Sequence, residues 1–262
     1  MNPFFETYDT TFGTIPFTKI NITHYVPAVT KGIEEAKAEV DAIVSNTDAP
    51  TFTNTLEALE DSGETLTKVT SAFFNLNSAE TNDEMQAIAQ EISPLLTTHG
   101  NEVTMNVGLF ARVKAVYEGD QSKLNTEQKT LLEKSYKGFA RNGANLNEAD
   151  KEKLKGIDTK KAQLSLTFGE HVLKESNVYQ MHLTDEADLD GLPDGIREAA
   201  AAMAKAKELE GWLITLDYPS YIPFMTYSTH RDLRQKMHRA FGSKGFQDNE
   251  NNNEDVIKQL VQ

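Results

Sequence analysis

The chain has 262 residues, 39% of them hydrophobic, which is enough for one large domain or two small ones with a sizeable core and excludes a disordered tail. Its 40 acids against 26 bases give a formal charge of −14, so non-specific binding to nucleic acid or to an anionic bilayer would work against self-repulsion. No cysteine is present, which removes disulfides, thiolate metal sites and cysteine nucleophiles, and the chain shows neither a secretory leader pattern at its start nor an apolar run of membrane-spanning length.

The segment up to residue 24 is rich in Thr, Gly and Pro and has no helical period; Phe4, Phe5, Phe12 and Phe17 are spaced along it, which predicts an extended arm pinned into grooves by aromatic anchors. From about Tyr25 to Val44 the apolar positions Val26, Val29, Ile33, Ala36, Val40 and Ile43 fall at helical steps, with Pro27 tolerated in the first turn. A second helix is predicted from Asn54, where Asn54 and Glu57 have capping-box spacing, through Leu56, Leu59, Leu66, Val69 and Phe73, with packing offsetting Gly63. Thr81 and Glu84 repeat that spacing ahead of Met85, Ile88, Ile92 and Leu95 and then Val103, Phe110 and Val113: one long helix, or two, kinked near Pro94.

The stretch from Gly119 to Gln128 reads as a loop, with Asn125 or Thr126 capping a helix that ends at Asn142-Gly143. Asn147 caps a long helix through Leu154, Ile157, Leu164, Phe168 and Val172, whose length predicts a central packing element. Near Ser176 the period changes to two, giving strand candidates around Val178 to Leu183 and Trp212 to Leu216, separated by an Ala-rich helical stretch from Pro193 to Glu210. Helices return from Thr229 to Phe241 and from Asn253 onward, around the Asn-rich loop Asp248 to Asn253. The last helix, Glu254 to Gln262, carries Val256, Ile257, Leu260 and Val261 without a stop signal, which reads as an interrupted helix and hence a piece of something longer, with an exposed apolar patch and self-association expected there.

Charge is uneven. Residues 1–120 hold 18 acids against 6 bases, while residues 228–247 hold Arg231, Arg234, Lys236, Arg239 and Lys244 against Asp232 alone. That cationic segment is expected to pair with acidic faces of its own fold in preference to a peptide carboxylate.

The six histidines, His24, His99, His171, His182, His230 and His238, include no H-E-x-x-H. His171 and Glu175 stand one helical turn apart and could share a metal, but two ligands fall short of the three a catalytic zinc site needs, so a core histidine bonded to a neighbour is the preferred reading. No G-x-S-x-G or S-x-x-K arrangement and no phosphate loop is present; Gly242-Ser243-Lys244-Gly245 has such residues in the wrong order, and Glu57 with Asp61 reads as solvated surface. The chain therefore presents no self-contained active site.

Five stretches carry a resemblance: NPFFETYDTTFGTIPFTKINITHYVPAVTKGIEEAKAEVDAI, FTNTLEALEDSGETLTKVTSAFFNLNSAETNDE, LFARVKAVYE, GANLNEADKEKLKGIDTKKAQLSLTF and LRQKMHRAF. In order and spacing they resemble the amino-terminal part of the M3 family of zinc metallopeptidases, most closely its peptidyl-dipeptidase (dipeptidyl carboxypeptidase) branch. The resemblance implies a mainly α fold, the multi-helix amino-terminal lobe of a zincin-like peptidase with a small two-stranded β element. It implies an arm (1–24), a helical bundle (25–175) and a strand-helix-strand unit with basic helices (176–262), the catalytic domain lying outside this chain.

It further implies a parent hydrolase that uses zinc to release C-terminal dipeptides from oligopeptides, cytoplasmic, or periplasmic if a leader preceded Met1. This chain would form a non-catalytic wall or lid of the substrate channel, inactive alone, its partner the missing catalytic domain. No catalytic, cofactor-binding or metal residue can be carried over to it, and no nucleic acid or membrane partner is expected. A stand-alone helical scaffold that binds a peptide or a protein is the alternative.

Overall fold

The computed structural model describes residues 2–262, and the chain divides into two compact units, the first ending at Gln163 and the second running Leu164–Gln262. It is mainly α, with one two-stranded antiparallel sheet among the described residues.

In the first unit the arm is a series of short 3-10 turns at Pro3–Phe5, Thr11–Gly13, Phe17–Lys19 and Ile22–His24. Of the four proposed anchors only Phe4 is seated: it is buried against Tyr25 (ring centroids 5.6 Å), which meets Phe73 edge-on at 5.0 Å. Phe12 is 98% exposed, because left-handed backbone at Phe12 and Gly13 (φ 61 and 65) forms a tight turn that leaves its ring in solvent. Phe5 and Phe17 are also exposed.

Helix α1, Tyr25–Ser45, buries Val29, Ile33, Ala36, Val40 and Ile43, as its period predicts. The next helical stretch starts a turn earlier than expected. Thr51 is its cap: its hydroxyl accepts from Asn54 N (3.1 Å), while the Asn54 amide oxygen accepts from Thr51 N (2.8 Å). A wide π turn, Phe52–Glu57, runs into the short α2, Ala58–Glu60, and stops at Gly63. Packing does not carry this glycine through a helix; it adopts φ 73 and gives its N–H to Glu39 (2.7 Å), and α3, Glu64–Ala79, begins after it. Gly32 lets α1 approach α3 closely, since a Cβ there would lie 2.9 Å from the Leu66 Cα.

Asn82 caps α4, Asp83–Thr104, by accepting from Met85 N (2.9 Å), whereas the hydroxyl of the predicted cap Thr81 donates to Asn77. The helix runs on past Pro94, and the chain breaks instead at Met105-Asn106, where Asn106 caps α5, Val107–Glu118. Asn125 and Gln128 form the reciprocal capping box of α6, Thr126–Arg141, which closes with Gly143 at φ 95 and a Schellman-type bond from Ala144 N to Phe139 O. Val40, Ile43, Leu56, Leu109, Val113 and Leu132 make a core among α1, α5, α6 and the π turn. Arg112 is buried with them and donates to Asn46 O (2.8 Å), Asp48 O (3.3 Å) and the Asn54 amide oxygen (3.0 Å), tying the loop after α1 to α5.

Helix α7, Glu148–Val178, is not the central packing element its length predicts. Its one buried side chain among the described residues is Lys151, which donates to Met105 O at the end of α4, and Ile157 is 61% exposed. The apolar stripe is too sparse among the Lys, Asp and Glu of this helix to be covered.

In the second unit β1, Met181–Leu183, pairs antiparallel with β2, Trp212–Ile214, in the register Met181 to Ile214 and Leu183 to Trp212, and α8, Asp194–Ala206, lies between them in sequence. Helix α9, Tyr218–Tyr227, has no counterpart in the sequence reading because it contains Pro219 and Pro223. Pro219 lies in the first turn, and the carbonyl that Pro223 leaves without its helical donor is that of Pro219 at the helix start, so neither breaks it. Helices α10, Arg231–Gly242, and α11, Glu254–Leu260, complete the unit. Met181, Leu183, Leu189, Ile214, Phe224 and Met237 form its core. Of the terminal apolar stripe, Val256 is buried while Ile257 and Val261 are exposed.

Candidate functional site

The His171 and Glu175 pair on α7 is occupied by the Asn-rich loop. The His171 Nδ1–H donates to the Asn253 amide oxygen (2.8 Å), and Asn253 Nδ2 donates back to Phe168 O (3.2 Å). Glu175 Oε1 accepts from Asn249 Nδ2 (2.6 Å) and, at 3.4 Å, from Asn251 Nδ2. Asn251 and Asn253 are buried, and Asn253 N reaches Gly245 O (2.7 Å). This constellation is a polar pin that fixes the loop and the start of α11 on α7. No group of three or more His, Cys, Asp or Glu able to hold a metal exists among the described residues, so these side chains do not fit a zinc centre.

Three of the other histidines are held by backbone partners. His24 Nδ1 accepts from Asn21 N (3.1 Å), His182 Nε2 donates to Glu210 O (2.6 Å), and His230 Nε2 donates to Ala187 O (2.8 Å). His99, on α4, has a buried Nδ1 that lacks a partner; burial first, then Lys37 of α1, hold its pKa below the usual 6.5, with Glu102 opposing. Glu57 accepts from Gln128 Nε2 at 3.4 Å, which ties it to α6.

Two surfaces remain. Beneath the arm, a cleft of about 410 Å3 is lined by Phe5, Tyr8, Lys31, Glu35, Thr65 and Lys68 among others. Its cations are committed: Lys31 lies 4.2 Å from the Phe5 ring centroid and 3.5 Å from Glu35, and Lys68 pairs with Glu64 at 2.7 Å. Burial raises the Tyr8 phenol pKa, partly offset by Lys68.

The second surface is α10. Leu233 and Met237 face inward; Arg231, Lys236, His238 and Arg239 are exposed. Arg234 is used internally, donating to Ser228 O, and Lys244 lies 3.9 Å over the Phe241 ring, its pKa lowered by burial against the opposing pull of Asp217. Within this unit no acid pairs with Arg231, Lys236 or Arg239. The reason is geometric: the inward face of α10 is apolar, so its long basic side chains are directed away from the rest of the unit.

No protein-family model matches the chain. Curated relatives do. It is 35% identical over 264 residues to the dipeptidyl carboxypeptidase of Escherichia coli (strain K12), an alignment covering 100% of this chain and 39% of that protein. It is 33% identical over 236 residues to oligopeptidase A of the same organism, covering 90% of this chain and 35% of the relative, and 34% identical over 248 residues to the dipeptidyl carboxypeptidase of Salmonella typhimurium, covering 94% and 36%. The chain thus spans little more than a third of the length of these relatives.

Proposed function

Because this chain is homologous along nearly its whole length to peptidases of the M3 family, we propose that it serves as the non-catalytic amino-terminal portion of a zinc-dependent peptidyl-dipeptidase that releases C-terminal dipeptides from oligopeptides. The observation that carries this reading is the 35% identity to a dipeptidyl carboxypeptidase across the full chain. In this reading the helices form a wall or lid of a substrate channel whose narrowness admits oligopeptides and turns away folded proteins, and the zinc is held by the portion that lies outside these residues. Two features support a non-catalytic role: His171 and Glu175 are consumed by asparagines, and each carbonyl-bound histidine has a structural partner.

The test compares two polypeptides. One that joins this sequence to an M3 catalytic portion is expected to cleave short peptides and to stop when a chelator is added, while the 262-residue chain with added zinc is expected to cleave nothing. Zinc-dependent cleavage by the 262-residue chain alone, lost in His171→Ala, would overturn the proposal.

A further inference from the structure

The first 120 residues hold only 6 bases against 18 acids, yet two of those bases, Lys31 and Lys68, line the cleft beneath the arm. Two acids line it with them, Glu6 of the arm and Glu35 of α1, so the cleft is charge-balanced within the most acidic stretch of the chain. Its polar groups are lightly engaged. Neither the Glu6 carboxylate nor the Thr65 hydroxyl has a partner among the described residues. Lys31 pairs with Glu35 at 3.5 Å and Lys68 with Glu64 at 2.7 Å, but both pairs lie on exposed helix surface, where exchanging one partner for another costs little. Thr65 and Lys68 stand three residues apart on α3 and therefore on one face of it. Phe5 and Tyr8 add aromatic walls; the Tyr8 hydroxyl is closed off from solvent without a partner, so Tyr8 offers its ring alone. The volume of about 410 Å3 falls within the range of about 300–1,000 Å3 typical of small-molecule sites.

We propose that the cleft beneath the arm binds a small zwitterion with an apolar side chain, of the free α-amino acid class. Its carboxylate accepts from Lys68 Nζ and the Thr65 hydroxyl, its ammonium donates to the Glu6 carboxylate, and its side chain lies against Phe5 and Tyr8. A net anion would meet Glu6 and Glu35, and a net cation would meet Lys31 and Lys68; a ligand that carries one charge of each sign is matched to both. The ligand class follows from the charges and rings of the cleft and does not depend on the peptidase reading.

The experiment is a saturation-transfer NMR titration of the 262-residue chain with L-phenylalanine and two capped forms: N-acetylphenylalanine, which lacks the ammonium, and phenylalaninamide, which lacks the carboxylate. The zwitterion is expected to bind about tenfold more tightly than either capped form. Lys68→Met lowers its affinity by a similar factor without weakening phenylalaninamide, which has no carboxylate to lose. Glu6→Gln also weakens the zwitterion, and it leaves N-acetylphenylalanine no weaker. Lys123→Met, at an exposed lysine that does not line this cleft, changes neither. Far-UV circular dichroism confirms that the variants, all at exposed positions, are folded. No transfer to L-phenylalanine, equal binding of the capped forms, affinity that survives both Lys68→Met and Glu6→Gln, or an equal loss in Lys123→Met would overturn the proposal. Failure of the peptidase reading would appear instead as absent hydrolysis by the longer polypeptide, a separate measurement.

Discussion

His99 shows how one residue couples burial to pH. Its ring sits on α4 facing Lys37 of α1, with Glu102 on its own helix, and its Nδ1 has neither water access nor a partner. Protonation there adds a charge to a poorly solvated place beside a cation, so the folded pKa lies below 6.5. Above pH 6.5 both folded and unfolded rings are neutral and the full stability is present. As the pH falls from 6.5 through the lowered folded value, the unfolded chain takes up the proton first and stability declines. The expected outcome is that the wild-type melting temperature drops more between pH 7.5 and 5.5 than that of His99→Gln, the acids common to both cancelling in the comparison. Equal drops would show that His99 does not titrate differently on folding. Arg112 makes a related point without titration. A buried cation served by two carbonyls and an amide is a contact across more than fifty residues of chain, and nothing in local spacing announces it.

Among the elements, those that could be read from the sequence were the ones decided by local chemistry. The period of α1, a cap at Asn125 or Thr126, the glycine stop after α6 and the alternation around Met181 and Trp212 each involve residues within a few positions of one another. Sequence pattern and structure part where two local options compete, or where distant contacts decide. Thr51 and Asn54 can both cap; the extended backbone at Thr51 wins because the two side chains then satisfy each other's backbone N–H. Gly63 breaks a helix because Glu39, far away in sequence, accepts its N–H. Helix α9 was hidden by prolines whose cost depends on their exact turn.

The pin at Asn253 belongs to the same class, since its value lies in holding α11 on α7. Asn253→Ala leaves His171 Nδ1 without its acceptor and opens a small cavity at a site 1% exposed. The expected cost is about 2 kcal/mol, read as a lower urea midpoint with unchanged slope, together with faster amide exchange in residues 254–260. Stability within error of wild type would show that the loop is held by other contacts.

At the scale of the whole molecule, charge sets the balance between short-range attraction and long-range repulsion. The ion pairs described above lie mainly on exposed helix surfaces, as Lys153 with Asp150 and Lys258 with Glu254 do. Each such exposed pair contributes little to stability. Against them stands a formal charge of −14, of which residues 1–120 carry most. Repulsion among like charges spread over a surface acts at distances beyond contact, where screening is most effective: the Debye length falls from about 30 Å at 0.01 M to about 10 Å at 0.1 M ionic strength. Close pairs at about 3 Å are little affected over that range. Salt therefore removes more repulsion than attraction, and the melting temperature of the chain is expected to rise between about 10 and 200 mM sodium chloride. The same rise should shrink when several exposed acids of the first 120 residues, such as Glu60, Asp83 and Glu91, are replaced together by Gln or Asn, because the repulsion is then lower at the outset. A melting temperature that falls with salt would mean that the local pairs outweigh the net charge, and that the acidic half of the chain carries its excess without cost to the fold.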